Sequence, residues 1–125
     1  RQFYLRRLPS GQFAEHSKFI KSPKIAVLTS RWTVSSGEIV ATALKGRPNT
    51  RFFGEATGSY TTGNSWEIIN NEAIVVISTG LFSERNGKVY EISIPVDEEM
   101  PFEAGTEIEA DKAVIAANKW LKRKN

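Results

Sequence analysis

Ser35, Ser36 and Glu38 are the residues of this chain whose types and spacing best suit covalent chemistry. They belong to the segment Thr33-Val34-Ser35-Ser36-Gly37-Glu38, which lies between an apolar run and a helical pattern. A serine at a strand-to-helix junction presents its hydroxyl beside the free amides at the start of the helix. The hydroxyl can then attack a carbonyl group while an adjacent amide stabilises the oxyanion that forms.

The same segment also suits a purely structural role. Ser35 and Glu38 have the S-x-x-E spacing of a capping box, in which each side chain binds the other residue's backbone amide. Such a cap contributes about 1 kcal/mol to stability. The two interpretations are compatible, because capping geometry itself places the serine at the end of the helix. Glu38 is therefore predicted either to cap the helix or to support the nucleophile by orienting a neighbour.

The elements around this segment predict an α/β arrangement. Lys24 to Thr29 is a short apolar run, typical of a buried strand in a parallel sheet. A helix follows it and is predicted to end at Gly46 and Pro48. Residues 51–54 form the next predicted strand, at a separation that suits a parallel βαβ unit. The apolar stripe expected to pack this helix on the sheet consists of Ile39, Val40, Ala43 and Leu44.

The second half of the chain is predicted to contain a loop, a hairpin and a final helix. Residues 55–65 are polar and rich in glycine, and a loop of that length is often functional. Residues 66–69 and 73–77 have the pattern of a hairpin, and Asn86-Gly87 that of a tight turn. Residues 111–122 are amphipathic at helical spacing. The core candidates are Val27, Phe52, Phe53, Ile74 and Val76.

Composition limits the classes of function. A chain of 125 residues with 40% hydrophobic content suits one domain, and a net charge of +3 does not predict a nucleic-acid partner. There is no cysteine, which excludes disulfides and thiolate metal sites. The acidic residues between 97 and 111 lack the spacing of a metal-binding loop and predict a solvated loop. We therefore expect no metal and no cofactor. No targeting signal is recognisable in this chain.

The order of these motifs resembles that of the C-terminal processing peptidases, also called tail-specific serine proteases. Nisin-resistance-like proteases and interphotoreceptor retinoid-binding-like modules are subgroups to which the chain is similar. The resemblance extends over roughly residues 24–122. The segments that carry it are Ile25–Thr29, Thr33–Glu38, Gly54–Gly58, Thr61–Asn64 and Arg85–Tyr90.

The resemblance implies an α/β fold, namely the C-terminal half of a crotonase-like or ClpP-like ββα core with a mixed sheet, a central helix and a C-terminal helix. Residues 1–125 would then form a single partial domain that opens with an irregular segment, residues 1–23. The missing N-terminal part of the same protein is the expected partner, and an uncovered sheet predicts a homo-oligomer or a domain swap. An extracytoplasmic location, whether periplasmic, at the cell envelope or secreted, is also implied.

The resemblance further implies that the parent protein is a serine endopeptidase acting on peptide or protein C-termini. Ser35 would be the nucleophile, and the Ser36 amide would stabilise the oxyanion. No lysine lies between Lys45 and Lys88, where many members of the family carry the general base. The base is therefore expected from elsewhere in the protein, with His16, the only histidine, as an alternative. The residues expected to bind substrate are Thr57, Gly58, Tyr60, Thr61 and Thr62.

A second hypothesis stays open beside the enzyme. The same fold without a base would be a binding module for a peptide or a hydrophobic ligand, with no turnover. The missing lysine and the three tryptophans are compatible with it. In either case we expect this chain on its own to be inactive.

Overall fold

The computed structural model describes residues 23–123. The expectation for the irregular segment 1–23 therefore falls almost wholly outside the described residues, and so does His16. The described elements, in chain order, are β1 (Ile25–Thr29), α1 (Ser36–Leu44), β2 (Thr50–Gly54), β3 (Thr62–Asn70), β4 (Ala73–Leu81), β5 (Glu98–Glu99) and α2 (Lys112–Leu121).

Three parallel strands in the order β1-β2-β5 form the main sheet. Strand β1 pairs with β2 from Ile25 opposite Thr50 to Thr29 opposite Gly54, so the predicted parallel βαβ unit is confirmed. The acidic segment is exposed as predicted except for the half-buried Asp111, but Glu98–Glu99 form β5 rather than a loop. Asp97 starts this pairing, because its carboxylate accepts a 2.7 Å hydrogen bond from the Phe52 amide.

The central strand β2 divides the core into two layers. Successive side chains of a strand point to opposite faces of the sheet. Phe52 accordingly packs with Ala41 of α1 and with Tyr90 and Ile94, all of them buried. Phe53, on the other face, meets Trp120 of α2 with ring centroids 6.0 Å apart. The sheet therefore lies between α1 and α2, as in a three-layer α/β fold.

The predicted packing stripe of α1 is wrong except at Leu44, which packs against the core. The helix buries Glu38, Ala41 and Thr42, whereas Ile39 is 49% exposed and Val40 is 62% exposed. The helix is rotated in this way because the Glu38 carboxylate binds the loop that follows β2. Apolar periodicity carries no information about such a polar attachment. Ile39, Val40 and Ala43 consequently stay exposed in the described part of the chain.

Strands β3 and β4 form the predicted hairpin, as a separate antiparallel sheet of two nine-residue strands. Parallel and antiparallel pairing are therefore both present, but in two sheets. Strand β3 already begins at Thr62, so the predicted loop 55–65 ends earlier than expected. Ile74 and Val76, which the sequence predicts in the core, are 62% and 63% exposed. That prediction is wrong because no element between residues 23 and 123 covers the ribbon.

The remaining elements agree with the sequence. Gly87 has a φ of 83° in the predicted turn, and its amide donates to the Glu84 carbonyl at 2.8 Å. Helix α2 begins after Asp111, whose carboxylate caps the amides of Ala113 and Val114. Among the helices described, neither is long and apolar enough to cross a membrane.

Candidate active site

Ser35 lies at the sharp turn from β1 into α1, in an unusual backbone conformation. Its φ is 50° and its ψ is −113°. A positive φ is uncommon for a residue other than glycine and costs on the order of 1–3 kcal/mol. Such strain is concentrated at active sites, and a serine on a strained strand-to-helix turn is the arrangement that exposes a nucleophile. Ser35 is exposed, as is Trp32 on the same turn, at 71%.

The start of α1 leaves one amide available beside the Ser35 hydroxyl. The Ser35 carbonyl accepts hydrogen bonds from the amides of Glu38 and Ile39, at 2.9 and 3.0 Å. The Gly37 amide donates to the Val34 carbonyl. The Ser36 amide, in contrast, has no acceptor among residues 23–123. The Ser35 side chain faces the Glu38 amide, which completes the predicted capping box. Ser35 and Ser36 are both exposed, so the hydroxyl and the Ser36 amide remain open to a ligand.

The Glu38 carboxylate is fully buried and is the centre of the site. Its Oε2 accepts hydrogen bonds from the amides of Ser35 at 3.0 Å and Tyr60 at 2.9 Å. Its Oε1 accepts from the Thr57 hydroxyl at 2.5 Å and from the Ser59 amide at 3.1 Å. Glu38 thus forms its half of the predicted capping box and also holds the 57–60 loop. The S-x-x-E spacing signals the cap but not the loop contacts.

The 57–60 loop lies directly against the nucleophile turn, residues 30–35, which is named for the predicted nucleophile Ser35. The Gly58 amide donates to the Thr33 carbonyl at 2.9 Å. A Cβ atom at Gly58 would lie 2.5 Å from Val34 Cγ1, so a larger residue does not fit without a shift. On its other side the loop is bound to the segment after Tyr90, through the Thr57 amide and the Ile94 carbonyl at 3.2 Å. The loop is therefore fixed from both sides.

The five predicted substrate-binding residues fall into two groups. Thr57 and Thr61 are buried, at 5% and 1% exposure, and their side chains do not face solvent. Gly58 and Thr62 are half-buried, and Tyr60 is 64% exposed. Of the predicted set, only Gly58, Tyr60 and Thr62 present surface that an incoming chain can contact.

Glu55 ties the nucleophile turn to the loop before α2, a contact with no signal in the sequence. Its Oε1 accepts from Arg31 Nη1 at 2.8 Å and from the Phe102 amide at 3.0 Å. Its Oε2 accepts from the Arg31 amide at 3.1 Å. The amides of Phe102 and Arg31, with the Arg31 charge, lower the pKa of Glu55. Next to this contact is a cavity of about 200 Å³, which is lined in part by Leu28, Thr33, Met100, Phe102 and Ala113.

The described residues do not supply a base to Ser35. Its hydroxyl has no hydrogen bond to a basic side chain within residues 23–123. Burial lowers the pKa of Lys45, with Asp97 and Glu84 acting in the opposite direction. Lys45 nevertheless follows the far end of α1, and ten residues at 1.5 Å each place it about 15 Å from Ser35 along the helix. In the part of the chain that the structure describes, no cluster of His, Cys, Asp or Glu could hold a metal ion.

The chain is similar in sequence and fold to known proteins. Residues 6–100 match the family model of peptidase family S41. The chain is 27% identical over 113 residues to the nisin-resistance protein of Lactococcus lactis subsp. lactis, a match that covers 90% of this chain and 32% of that protein.

Two solved structures are similar to the chain. A lipoprotein from Streptococcus agalactiae has a TM-score of 0.65 and 31% identity, over 79% of this chain and 31% of that one. The photosystem II D1 C-terminal processing protease has a TM-score of 0.58 and 20% identity, over 73% of this chain and 26% of that one, and shows the fold alone. The chain thus spans about a third or less of the length of these relatives.

The family match supports a serine-protease-like domain, and the structure has a parallel βαβ unit whose helix begins at an exposed, strained serine. The chain belongs to peptidase family S41, and its α/β fold is of the crotonase-like or ClpP-like type.

Proposed function

We propose that the chain carries the nucleophile half of a serine endopeptidase site of the C-terminal processing type. The observation that carries the proposal is the strained, exposed Ser35 beside the unpartnered Ser36 amide. Strain of this kind persists only where the surrounding structure holds it, and here the Glu38 carboxylate binds the strained residue directly. Family membership supports the same reaction class.

The reaction follows from these positions. Ser35 Oγ attacks the scissile carbonyl carbon, and its proton passes to a base that lies outside residues 23–123. The negative charge that develops on the carbonyl oxygen is stabilised by the Ser36 amide. Collapse of the tetrahedral intermediate expels the amine, which takes up the proton, and leaves an ester on Ser35. Water then hydrolyses the ester and restores the hydroxyl.

The substrate in this proposal is a peptide or a protein C-terminus. Gly58, Tyr60 and Thr62 offer it a surface beside the nucleophile turn. The proposed location is extracytoplasmic, at the cell envelope. It is supported by the similarity to a streptococcal lipoprotein and to a nisin-resistance protein.

A binding module without turnover is the second candidate. The observation that favours it is the absence, within the described range, of a basic side chain hydrogen-bonded to Ser35. In that case peptides bind beside the nucleophile turn and leave unchanged.

Hydrolysis of peptides by the full-length protein, followed by mass spectrometry, tests the proposal. Replacing Ser35→Ala removes the nucleophile and is expected to lower kcat on the order of a thousandfold or more. Ser36→Ala is the matched control, since it keeps the backbone amide and is expected to stay within about tenfold of the wild-type rate. Undiminished hydrolysis by the Ser35→Ala protein would contradict the proposal. Peptide binding by a wild type that never cleaves would favour the binding module.

A further inference from the structure

We infer that Thr57 is a positioning residue, whose hydroxyl sets the Glu38 carboxylate and through it the backbone of Ser35. The inference rests on the proposed function, because it assigns a role within the same site. It replaces the substrate contact that the sequence predicts for Thr57, whose side chain is buried. Thr57 itself touches neither Ser35 nor an incoming substrate.

The hydrogen bonds of the Thr57 hydroxyl have only one consistent direction. The Ile94 amide can only donate, and it lies 2.9 Å from Thr57 Oγ1. The hydroxyl proton is therefore free to point to the Glu38 carboxylate, 2.5 Å away. The chain of donors runs from the Ile94 amide through the Thr57 hydroxyl to Glu38. All three residues are buried, so water does not compete for these bonds.

The Glu38 carboxylate has no spare acceptor capacity. A carboxylate offers about four lone-pair positions, and Glu38 has four donors, two on each oxygen. The Thr57 hydroxyl and the Ser59 amide fix Oε1, which sets the plane of the group. That plane in turn directs Oε2 to the Ser35 amide. If the hydroxyl is lost, the carboxylate can turn and the Ile94 amide is left buried without an acceptor.

Loss of the Thr57 hydroxyl is expected to change the geometry of the catalytic groups more than the binding of substrate. The Ser35 amide is part of the peptide unit that holds the residue at its positive φ. When Oε2 moves, this strained conformation can relax, and Ser35 Oγ and the Ser36 amide move relative to each other. Stabilisation of the oxyanion depends on their relative positions, so kcat falls. The loop keeps its backbone hydrogen bonds to Thr33 and Ile94, which hold the surface of Gly58, Tyr60 and Thr62 in place, so KM changes much less than kcat.

The test compares Thr57→Val, which has nearly the same shape but no hydroxyl, with Thr57→Ser, which keeps it. Both are made in the full-length protein, together with Glu38→Gln and the double variant Thr57→Val/Glu38→Gln. We measure kcat and KM for a cleaved peptide and the rate at which a small fluorophosphonate modifies Ser35. Thr57→Val is expected to lower kcat and the labelling rate by about 10- to 100-fold with KM nearly unchanged, as expected for loss of a hydrogen bond to a charged group. Thr57→Ser should retain the wild-type kcat and labelling rate. The double variant should be no slower than Glu38→Gln alone.

Amide hydrogen exchange of Ser35 supplies a readout that does not depend on activity. Thr57→Val is expected to speed this exchange, and Thr57→Ser is not. Equal losses in the Thr57→Val and Thr57→Ser proteins, a loss confined to KM, or additive effects in the double variant would overturn the inference. A wild-type protein that is not labelled at Ser35 would instead contradict the proposed function. The exchange comparison would still show whether Thr57 holds the Ser35 backbone.

Discussion

At the scale of single residues, Gly58 sets how closely the 57–60 loop approaches the nucleophile turn. An added Cβ would lie 2.5 Å from Val34 Cγ1 and would also meet the Arg31 carbonyl. We predict that Gly58→Ala lowers the free energy of unfolding by about 1–3 kcal/mol, because the loop must move to relieve the overlap. Chemical denaturation of the full-length protein measures the change.

Gly80 is the matched control for this substitution. It lies in β4, and a Cβ built there has no neighbour within 4 Å. Gly80→Ala should therefore leave the unfolding free energy within about 0.5 kcal/mol of wild type. Equal effects of the two substitutions would show that the loop does not depend on the close approach at Gly58.

The sequence predicts the residues of the site better than their conformations. The S-x-x-E spacing places Ser35 and Glu38 at the start of a helix, where they are found. It carries no signal for the positive φ of Ser35, because tertiary contacts to the distant 57–60 loop hold that conformation. For the same reason the burial of Thr57 and Thr61 could not be predicted from a polar, glycine-rich segment.

At the scale of elements, Glu55 makes the junction between the nucleophile turn and the loop before α2 sensitive to pH. Its pKa in the folded protein is lowered below the ordinary value of 4.5 by the amides of Phe102 and Arg31 and by the Arg31 charge. The stabilisation is therefore complete above about pH 4.5, where Glu55 is ionised even in the unfolded chain. It is lost as the pH falls through the lowered pKa. We expect the unfolding free energy to decrease between neutral pH and pH 3.

Glu55→Gln isolates the contribution of the ionised Glu55 carboxylate to the free energy of unfolding. The amide side chain does not titrate, so the variant should be less stable at neutral pH and should lose less stability on acidification. Thermal or urea unfolding at several pH values, with Glu109→Gln as a control at an exposed acid, makes the comparison. Identical pH profiles for wild type and Glu55→Gln would contradict the role of Glu55.

The elements themselves are largely readable from the sequence. A parallel strand pair, the hairpin and both helices are predicted, and each is present. Two features could not be predicted from the sequence, and both depend on contacts between residues that are distant in the chain. Helix α1 turns its polar side inwards because Glu38 binds the loop, and β5 forms because Asp97 accepts from the Phe52 amide.

At the scale of the whole molecule, the apolar surface of the β3–β4 ribbon is the feature that governs association. The β3–β4 ribbon exposes aliphatic side chains on both of its faces: Ile68 and its cross-strand partner Ile74 on one face, at 62% each, and Ile77 on the other, at 54%. An isolated two-stranded ribbon of this kind is marginally stable in water. The chain of 125 residues is therefore predicted to self-associate through the ribbon.

A charge on the ribbon tests that prediction. Ile68→Lys places an ammonium group in the exposed apolar face and should shift sedimentation velocity profiles toward smaller species. Asn71→Lys adds the same charge at the turn between the strands and should leave the profile unchanged. A wild-type chain that sediments as a monomer at all concentrations would contradict the prediction.

Covalent labelling tests directly whether Ser35 is the nucleophile of a serine peptidase. The full-length protein reacts with a fluorophosphonate, and the site of covalent modification is measured. Digestion and tandem mass spectrometry then locate the adduct. We predict a single adduct on Ser35 that disappears in Ser35→Ala and persists in Ser36→Ala. An adduct on another serine, or peptide hydrolysis by a protein that acquires no adduct at Ser35, would contradict this prediction.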